Sequence, residues 1–218
     1  MRWTSAVLTG AIVIALAMGG GAQAVNLVNP GFDAQNASGG DISGATGWSN
    51  FNAAFTHADA VAHSAPNDLK VFGPFVTGGG AGVVQGGFAA SVGQLWESSA
   101  FARIESSDPM NVNNFAVVKL EFLNSSSTVI GSFESTHITT ASLPIDTWQQ
   151  FSVQGVAPAN TSTAQIVLVH VQLANPVAGG SIFFDDAALG TVPEPASVVL
   201  GMLSVVGTVG FARRRSWR

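Results

Sequence analysis

Four glutamates have the side-chain type that cleavage of a sugar linkage requires, but nothing in their spacing pairs them. A glycosidase holds two carboxyl groups about 5 to 9.5 Å apart, one of them with a raised pKa. The candidates by residue type alone are Glu97, Glu105, Glu121 and Glu134. The chain has no G-x-S-x-G or H-E-x-x-H motif. The sequence therefore favours a protein that is not an enzyme, with a glycoside hydrolase as the remote alternative.

Aromatic side chains beside amides form a second set of candidate functional residues. A flat ring can bind the apolar side of a sugar, while amide and carboxylate groups bind its hydroxyls. Trp48, Trp96 and Trp148 stand at predicted strand starts, which favours a core or rim position for each. The irregular stretch between Trp48 and Gly87 is the predicted ligand-binding region. Its candidate residues are Trp48, Phe51, Phe55 and Gln85, with Asn50, Asn52 and Phe75 nearby.

The histidines and a glycine run carry no metal or phosphate motif. His57 and His63 have a spacing that suits neither one helix face nor a usual zinc pair, and His137 and His170 are distant in sequence. The run 78–82 precedes strand-like residues instead of a helix N-terminus that could bind phosphate, so we expect a flexible loop. The chain has no cysteine, which excludes disulfides and cysteine-ligated metals.

The charge balance limits the partners. Of the 218 residues, only 10% are charged, and the formal net charge is −5. Between Val25 and Gly190 three basic residues face twelve acidic ones, which makes this region −9. So acidic a region is repelled by nucleic acid and by anionic lipid, which leaves cations and neutral ligands as partners.

Apolar and polar residues alternate along several segments, as in half-buried β-strands. Over residues 115–123 Ala116, Val118, Leu120 and Phe122 share one face, with charged residues on the other. The polar tract 124–127 then predicts a hairpin to a strand over 128–133. Further strands are predicted at 83–88, 95–104, 148–153, 164–172 and 181–189. Many short strands separated by Gly, Pro, Ser and Asn predict an all-β, antiparallel β-sandwich.

The N-terminal segment has the features of a secretory signal peptide. Arg2 precedes an uncharged run over 4–21, followed by Ala22, Gln23 and Ala24. Small residues at 22 and 24 match the pattern that a signal peptidase reads, so we expect cleavage before Val25. A retained N-terminal anchor is the alternative, since the run is almost long enough to span a bilayer.

The C-terminal segment combines a short motif, an apolar run and a basic end. Pro193, Glu194 and Pro195 precede the uncharged residues 196–212, which as a helix would cover about 26 Å of a ~30 Å hydrocarbon core. Four arginines follow and should stay cytoplasmic. This arrangement resembles the PEP-CTERM sorting signal of Gram-negative bacteria. The resemblance implies processing by an exosortase and release to the cell surface or extracellular matrix; a plain single-pass anchor is the alternative.

Short motifs along the central region occur in a recognisable order. They lie at 26–33, 47–48, 69–71, 84–85, 92–103, 147–151 and 182–186. In this order they resemble landmarks of the jelly-roll carbohydrate-binding modules of families four and nine. The resemblance implies a jelly-roll, galactose-binding-like sandwich over 25–190, between a signal peptide at 1–24 and a sorting signal at 191–218. The chain departs from the family pattern at Asp33, where glutamate is usual, and at Ser126 and Ser127, where the family has an acidic-Gly hairpin.

The same resemblance implies a structural calcium ion. Asp33 on the first strand and Asp186 on the last stand where the family pattern has acidic residues, and those strands lie close together in that fold. We therefore expect Asp33 and Asp186, with backbone carbonyls, to bind one Ca²⁺. The alternative is an Asx turn at Asp33 and a solvated strand end at Asp186.

Together these patterns predict an exported protein with a non-catalytic, carbohydrate-binding-like β-sandwich associated with exopolysaccharide. Signal peptidase and exosortase are its expected processing enzymes, and residues 196–212 are its expected membrane contact before processing. The alternative is a structural or adhesive matrix protein without a sugar site.

Overall fold

The computed structural model describes residues 23–35, 44–58, 60–173 and 179–192. Every secondary-structure element named in these ranges is a β-strand. In chain order these are β1 (Gln23–Ala24), β2 (Ser49–Phe51), β3 (Ala54–Ala58), β4 (Asn67–Phe72), β5 (Gly79–Ala89), β6 (Leu95–Arg103), β7 (Phe115–Leu123), β8 (Val129–Glu134), β9 (Gln149–Val156), β10 (Thr163–Gln172) and β11 (Ser181–Thr191). The described residues belong to one compact unit.

The strands form two antiparallel sheets packed face to face. Sheet A has the order β3-β4-β11-β6-β9, with β1 also paired to β11, and sheet B has the order β2-β5-β10-β7-β8. The predicted fold class, an antiparallel jelly-roll β-sandwich, is confirmed. The two-residue period explains the core, because alternate side chains of each strand point between the sheets.

The β7–β8 hairpin shows how local sequence determines this architecture. Residues 116, 118, 120 and 122 are buried, as the alternation predicts. Asn124 closes the turn, since its Oδ1 accepts hydrogen bonds from the backbone N–H groups of Ser126 at 2.9 Å and Thr128 at 3.0 Å. The side chain of Asn124 thereby supplies the acceptor that an Asx turn requires.

The core between the sheets contains large side chains from both. Its largest fully buried members include Phe32, Trp96, Phe122, Phe184 and Ile166. Full burial of each such side chain contributes about 1.5–3 kcal/mol, so these side chains account for much of the stability of the sandwich.

The glycine run 78–82 is not a flexible loop, contrary to the sequence prediction. Its residues from Gly79 onward form the start of β5, which pairs with β10. A Cβ at Gly82 would lie 1.9 Å from the carbonyl oxygen of Leu168, so only glycine permits this close approach. The glycine run therefore allows β5 and β10 to approach closely within the sheet.

Both predicted processing segments fall beyond the described part of the chain. Ala22, Pro193, Glu194, Pro195 and residues 196–212 are outside it, whereas Ala24 belongs to β1. Within the described ranges no helix is long and apolar enough to cross a membrane.

Candidate functional site

The outward face of sheet A concentrates the charged side chains. Register places Phe55, Lys70, Phe183 and Arg103 side by side on four neighbouring strands. The Phe183 ring is buried although it faces outward, because Lys70 Nζ lies 5.4 Å and Arg103 Cζ 5.8 Å from its centroid. These distances are in the range of cation–π contacts. Phe183 therefore anchors two of the three basic side chains between Val25 and Gly190.

Each of these cations also has an acidic partner. Lys70 Nζ is 3.2 Å from an Asp108 carboxylate oxygen, and Arg103 lies 3.7 Å from Glu105 and 3.5 Å from Asp146. The row formed by Phe55, Lys70, Phe183 and Arg103 thus has two cations beside three carboxylates, a small excess of negative charge. This excess disfavours a polyanion on this face.

Beside Lys70 lies a cleft that we term the aromatic groove, with a volume of about 380 Å³. It is lined by Phe55, Lys70, Phe72, Phe75, Asp108, Gly179 and Gly180. The Phe72 ring centroid is 5.8 Å from that of Phe55 and 6.0 Å from that of Phe75. Three adjoining rings next to an ion pair combine an apolar surface with hydrogen-bonding groups.

Phe75 is held in this groove at a conformational cost. The residue is 57% exposed and has a φ of 56°, a left-handed conformation that costs a non-glycine residue about 1–2 kcal/mol. Its backbone N–H donates to Gln172 Oε1 at 2.6 Å. A Cβ at Gly73 would lie 2.1 Å from Gln172 Cδ, so glycine at position 73 leaves the space that the Gln172 side chain needs to accept this hydrogen bond. Strain of this kind concentrates at functional sites.

A second cleft on the same face, the β11 groove, has a volume of about 340 Å³ and a mainly apolar lining. Its lining residues include Ala24, Glu97, Ser99, Gln150, Ala188 and Gly190. Gln150 Nε2 donates to Ser99 Oγ at 3.4 Å. This groove has no aromatic side chain among its lining residues.

Two consecutive aspartates of β11 hold the loop between β3 and β4 over the outward face. Asp185 Oδ2 accepts the backbone N–H of Ser64 at 2.7 Å, and Asp186 Oδ1 accepts the Ser64 hydroxyl at 2.8 Å. Asp186 Oδ2 is 2.6 Å from His63 Nδ1, and the His63 ring stacks on Phe101 at 3.7 Å. The loop is therefore attached through both carboxylates.

Burial raises the pKa of Asp185 to about 6, and the adjacent Asp186 charge adds to this shift. Hydrogen bonds from Ser64 and from the Asp186 backbone act in the opposite direction without cancelling it. A buried carboxylate near other carboxylates is a position that a cation would stabilise.

Asp185 has a carboxylate oxygen close to that of the predicted calcium ligand Asp33. A Cβ built on Gly31 would lie 3.0 Å from Ser64 Oγ, 3.4 Å from Asp33 Oδ2 and 3.6 Å from Asp185 Oδ1. Glycine thus leaves a space surrounded by oxygens, the donors that a hard cation prefers. In the described ranges no group of three or more His, Cys, Asp or Glu side chains is arranged for metal binding. The Ca²⁺ hypothesis for Asp33 and Asp186 stays a prediction, and Asp185 adds a further carboxylate oxygen beside Asp33.

The structure separates the four predicted ligand-binding residues. Trp48 is buried against Phe32, with its Nε1–H donating to the Asn29 carbonyl at 3.1 Å. Gln85 is buried as well, and its amide bonds the backbone of Val28 and Gly47. Both residues are therefore unavailable to a ligand, because they hold the N-terminal segment on the sandwich.

The other two candidates lie on opposite faces of the sandwich. Phe51 packs with Val117, Val167 and Val169 on the outward face of sheet B. Only Phe55 belongs to the aromatic groove. The sequence analysis missed Lys70, Phe72 and Asp108, whose only common signal is their placement on or next to outward-facing positions of sheet A.

His170 is an unusual buried polar residue between the sheets. Its register partners are Ala81 and Ala116, and all three are fully buried. Neither ring nitrogen has a hydrogen-bond partner among the described residues. Burial lowers the pKa of His170 to about 4, with Asp108 acting weakly in the opposite direction. The imidazole is therefore neutral at pH 7.

Comparison with known proteins identifies the fold but no family. A scan against protein-family models finds no match, and a search of curated proteins finds no significant relative. A solved cyclase from Fischerella sp. TAU is 15% identical, with a TM-score of 0.55 over 80% of this chain and 99% of that one. At this identity the likeness concerns the fold.

Two carbohydrate-active proteins have the same kind of likeness. The arabinose-bound MgGH51 α-L-arabinofuranosidase is 20% identical, with a TM-score of 0.55 over 80% of this chain and 27% of that chain. The CBM22-1–GH10 modules of Clostridium thermocellum endo-1,4-β-D-xylanase 10B, complexed with xylohexaose, are 13% identical, with a TM-score of 0.50 over 76% of this chain and 28% of theirs. This chain therefore spans little more than a quarter of either protein.

We predict opposite acid responses for the two buried titratable groups. The pKa of His170 falls from 6.5 to about 4 on folding, so acid should destabilise the protein between these values as the unfolded state takes up the proton. The pKa of Asp185 rises from 3.8 to about 6, so acid should stabilise the protein across that interval. Each contribution has a limiting slope of about 1.4 kcal/mol per pH unit.

Denaturant unfolding in metal-free buffer from pH 7 to 4 would measure these slopes. Relative to His170→Leu, the wild type should lose stability as pH falls; relative to Asp185→Asn, it should gain stability. Parallel curves for a variant and the wild type would contradict the assignment for that residue.

For calcium, we expect saturating ion to raise the melting temperature by about 5 °C or more at 100 times its Kd. Asp33→Asn and Asp186→Asn should abolish the rise, whereas Glu134→Gln, which changes an exposed carboxylate on β8, is the control and should retain it. The measurement is calorimetric titration and thermal melting after chelator treatment. No heat and no shift in the wild type would reject the ion.

Proposed function

We propose that the β-sandwich is a non-catalytic carbohydrate-binding domain whose ligand binds in the aromatic groove. The observation that carries this proposal is the cluster of three adjoining rings, Phe55, Phe72 and Phe75, beside the Lys70–Asp108 ion pair. The volume of about 380 Å³ is within the usual range for small-ligand sites. The carbohydrate-bound proteins of similar fold are compatible with such a role.

The groove chemistry supports a neutral glycan as the ligand. Phenylalanine rings offer only an apolar surface, so hydrogen bonds to sugar hydroxyls must come from other groups. Lys70 supplies N–H donors and Asp108 supplies acceptors, and their charges balance. The net charge of −9 between Val25 and Gly190 disfavours an acidic polymer.

The surroundings of the glutamates support a non-catalytic role. Glu97 accepts a hydrogen bond from Gln154, and Glu105 pairs with Arg103. Glu121 and Glu134 both pair with Lys119 on the outward face of sheet B. Among the described residues, none of these four glutamates lines the aromatic groove.

We further propose that the protein is exported and released at the cell surface, where an exopolysaccharide is the available glycan. This part of the proposal rests on the sequence of the two ends, with signal peptidase and exosortase as processing partners. We expect the released protein to begin at Val25 and to lack the segment after the Pro193–Pro195 motif. Mass spectrometry of protein secreted by strains with and without exosortase tests it; an unchanged C-terminus in both strains would contradict it.

For the sugar site, we expect Phe75→Ala and Phe55→Ala each to weaken glycan binding by about tenfold. The loss of one aromatic contact costs about 1.5 kcal/mol, which corresponds to that factor. Affinity electrophoresis against neutral polysaccharides, including xylan and the exopolysaccharide of the source strain, measures the effect.

Phe51→Ala is the matched control, because it removes a half-buried phenylalanine from the opposite sheet. It should leave binding unchanged. Loss of binding in this control alone would move the site to sheet B, and no binding by the folded wild type would favour the structural matrix role.

A further inference from the structure

In the described part of the chain the two sheets have four edge strands, and three of them are protected against pairing with another chain. Gly44 covers β3, since its backbone N–H donates to the Ala54 carbonyl at 2.8 Å. Strand β2 has only three residues. Strand β8 carries the charged Glu134 and pairs with β7 through a register shift. Short length, charge and bulges are the usual ways to protect an edge.

Strand β9 has none of these protections. It has eight residues, Gln149–Val156, with no charge and no proline, and pairs with β6 without a register shift. Among the described residues, only β6 forms backbone hydrogen bonds with it. Every second residue of an edge strand directs its N–H and C=O groups away from its neighbour. A long row of such groups is a template for another strand.

The sequence of β9 is nearly symmetric about its centre, which identifies the partner. Around Ser152 the order is Gln150, Phe151, Ser152, Val153 and Gln154. In an antiparallel pair of two copies with a two-fold axis at Ser152, Gln150 faces Gln154 of the other copy and Phe151 faces Val153. Amide–amide and aromatic–β-branched pairs are favourable across strands.

We propose that β9 is a self-recognition edge through which two copies of this chain join their A sheets. The symmetric pairing would extend over seven residues, 149–155, and create one continuous sheet. It needs no change in fold, because Gln150, Ser152 and Gln154 are already exposed. Since Gln150 also lines the β11 groove, the two β11 grooves would lie on either side of the joint.

Charge adds a condition to this association. Nucleic acid and acidic polymers are disfavoured by the net charge of −9, and the same charge makes two copies repel each other. The β9 strand itself is uncharged, so the repulsion acts at longer range and salt screens it. Association should therefore strengthen as the ionic strength rises, whereas association through an interface built on ion pairs would weaken.

The absence of cysteine from the chain permits a direct test. In the full chain, solubilised in mild detergent or on whole cells, Ser152→Cys should form covalent dimers on oxidation or with a short bismaleimide. Opposite residues in an antiparallel pair have Cα atoms about 4.5–5.5 Å apart, which suits a disulfide. Ser132→Cys, an exposed serine on β8, is the matched control and should remain monomeric.

Paired charges test the register. Gln150→Glu with Gln154→Lys places opposite charges across the joint and should retain the dimer, whereas Gln150→Lys with Gln154→Lys places like charges there and should weaken it about fivefold or more. Circular dichroism checks folding, and light scattering over a concentration series measures mass. Equal crosslinking of Ser152→Cys and Ser132→Cys, or equal masses for the two double variants, would overturn the proposal.

Discussion

A break in the pairing of β11 determines the arrangement of the outward face of sheet A. The β6–β11 register shifts between Asp185 and Ala188, and Asp186 has a φ of 46°. Such a bulge interrupts the alternation of side chains. Both carboxylates can therefore bind the loop at Ser64, whereas strict alternation would direct one of them into the core, where an unpaired charge is costly. The loop on this face depends on that irregularity.

The row of Phe55, Lys70, Phe183 and Arg103 next to the bulge separates two grooves on this face. Phe183 is buried under Lys70 and Arg103, and each cation has an acidic partner, so the row exposes little apolar area and no uncompensated positive charge. The aromatic groove lies at the Lys70 end of the row. The β11 groove lies further along β11, at Ala188 and Gly190. One sheet face thus offers an aromatic groove and a separate groove lined by small and aliphatic residues with a few polar side chains.

Local alternation was sufficient to predict the fold, but not the site. The pattern over Phe115–Leu123 identifies β7 because a half-buried strand needs only its own period. Trp48 and Gln85 were placed in a groove because their neighbours are irregular, yet their partners are residues 28–32, which lie distant in sequence from Gln85. Asp185 was missed because the bulge, which directs it to the outward face together with Asp186, has no signature in the sequence. Contacts across sheets and edges require the folded chain.

The pairing of β1 connects the fold to the predicted processing. Gln23 and Ala24 pair with Thr191 and Gly190, and a Cβ at Gly190 would lie 2.8 Å from the Gln23 carbonyl oxygen. Cleavage before Val25 would remove this two-residue strand and one wall of the β11 groove. The next contact would survive, because the Val25 N–H donates to the Leu189 carbonyl at 2.9 Å. The precursor and the processed protein would then share one core and differ at the rim of a groove, next to the residues that lead into the C-terminal motif.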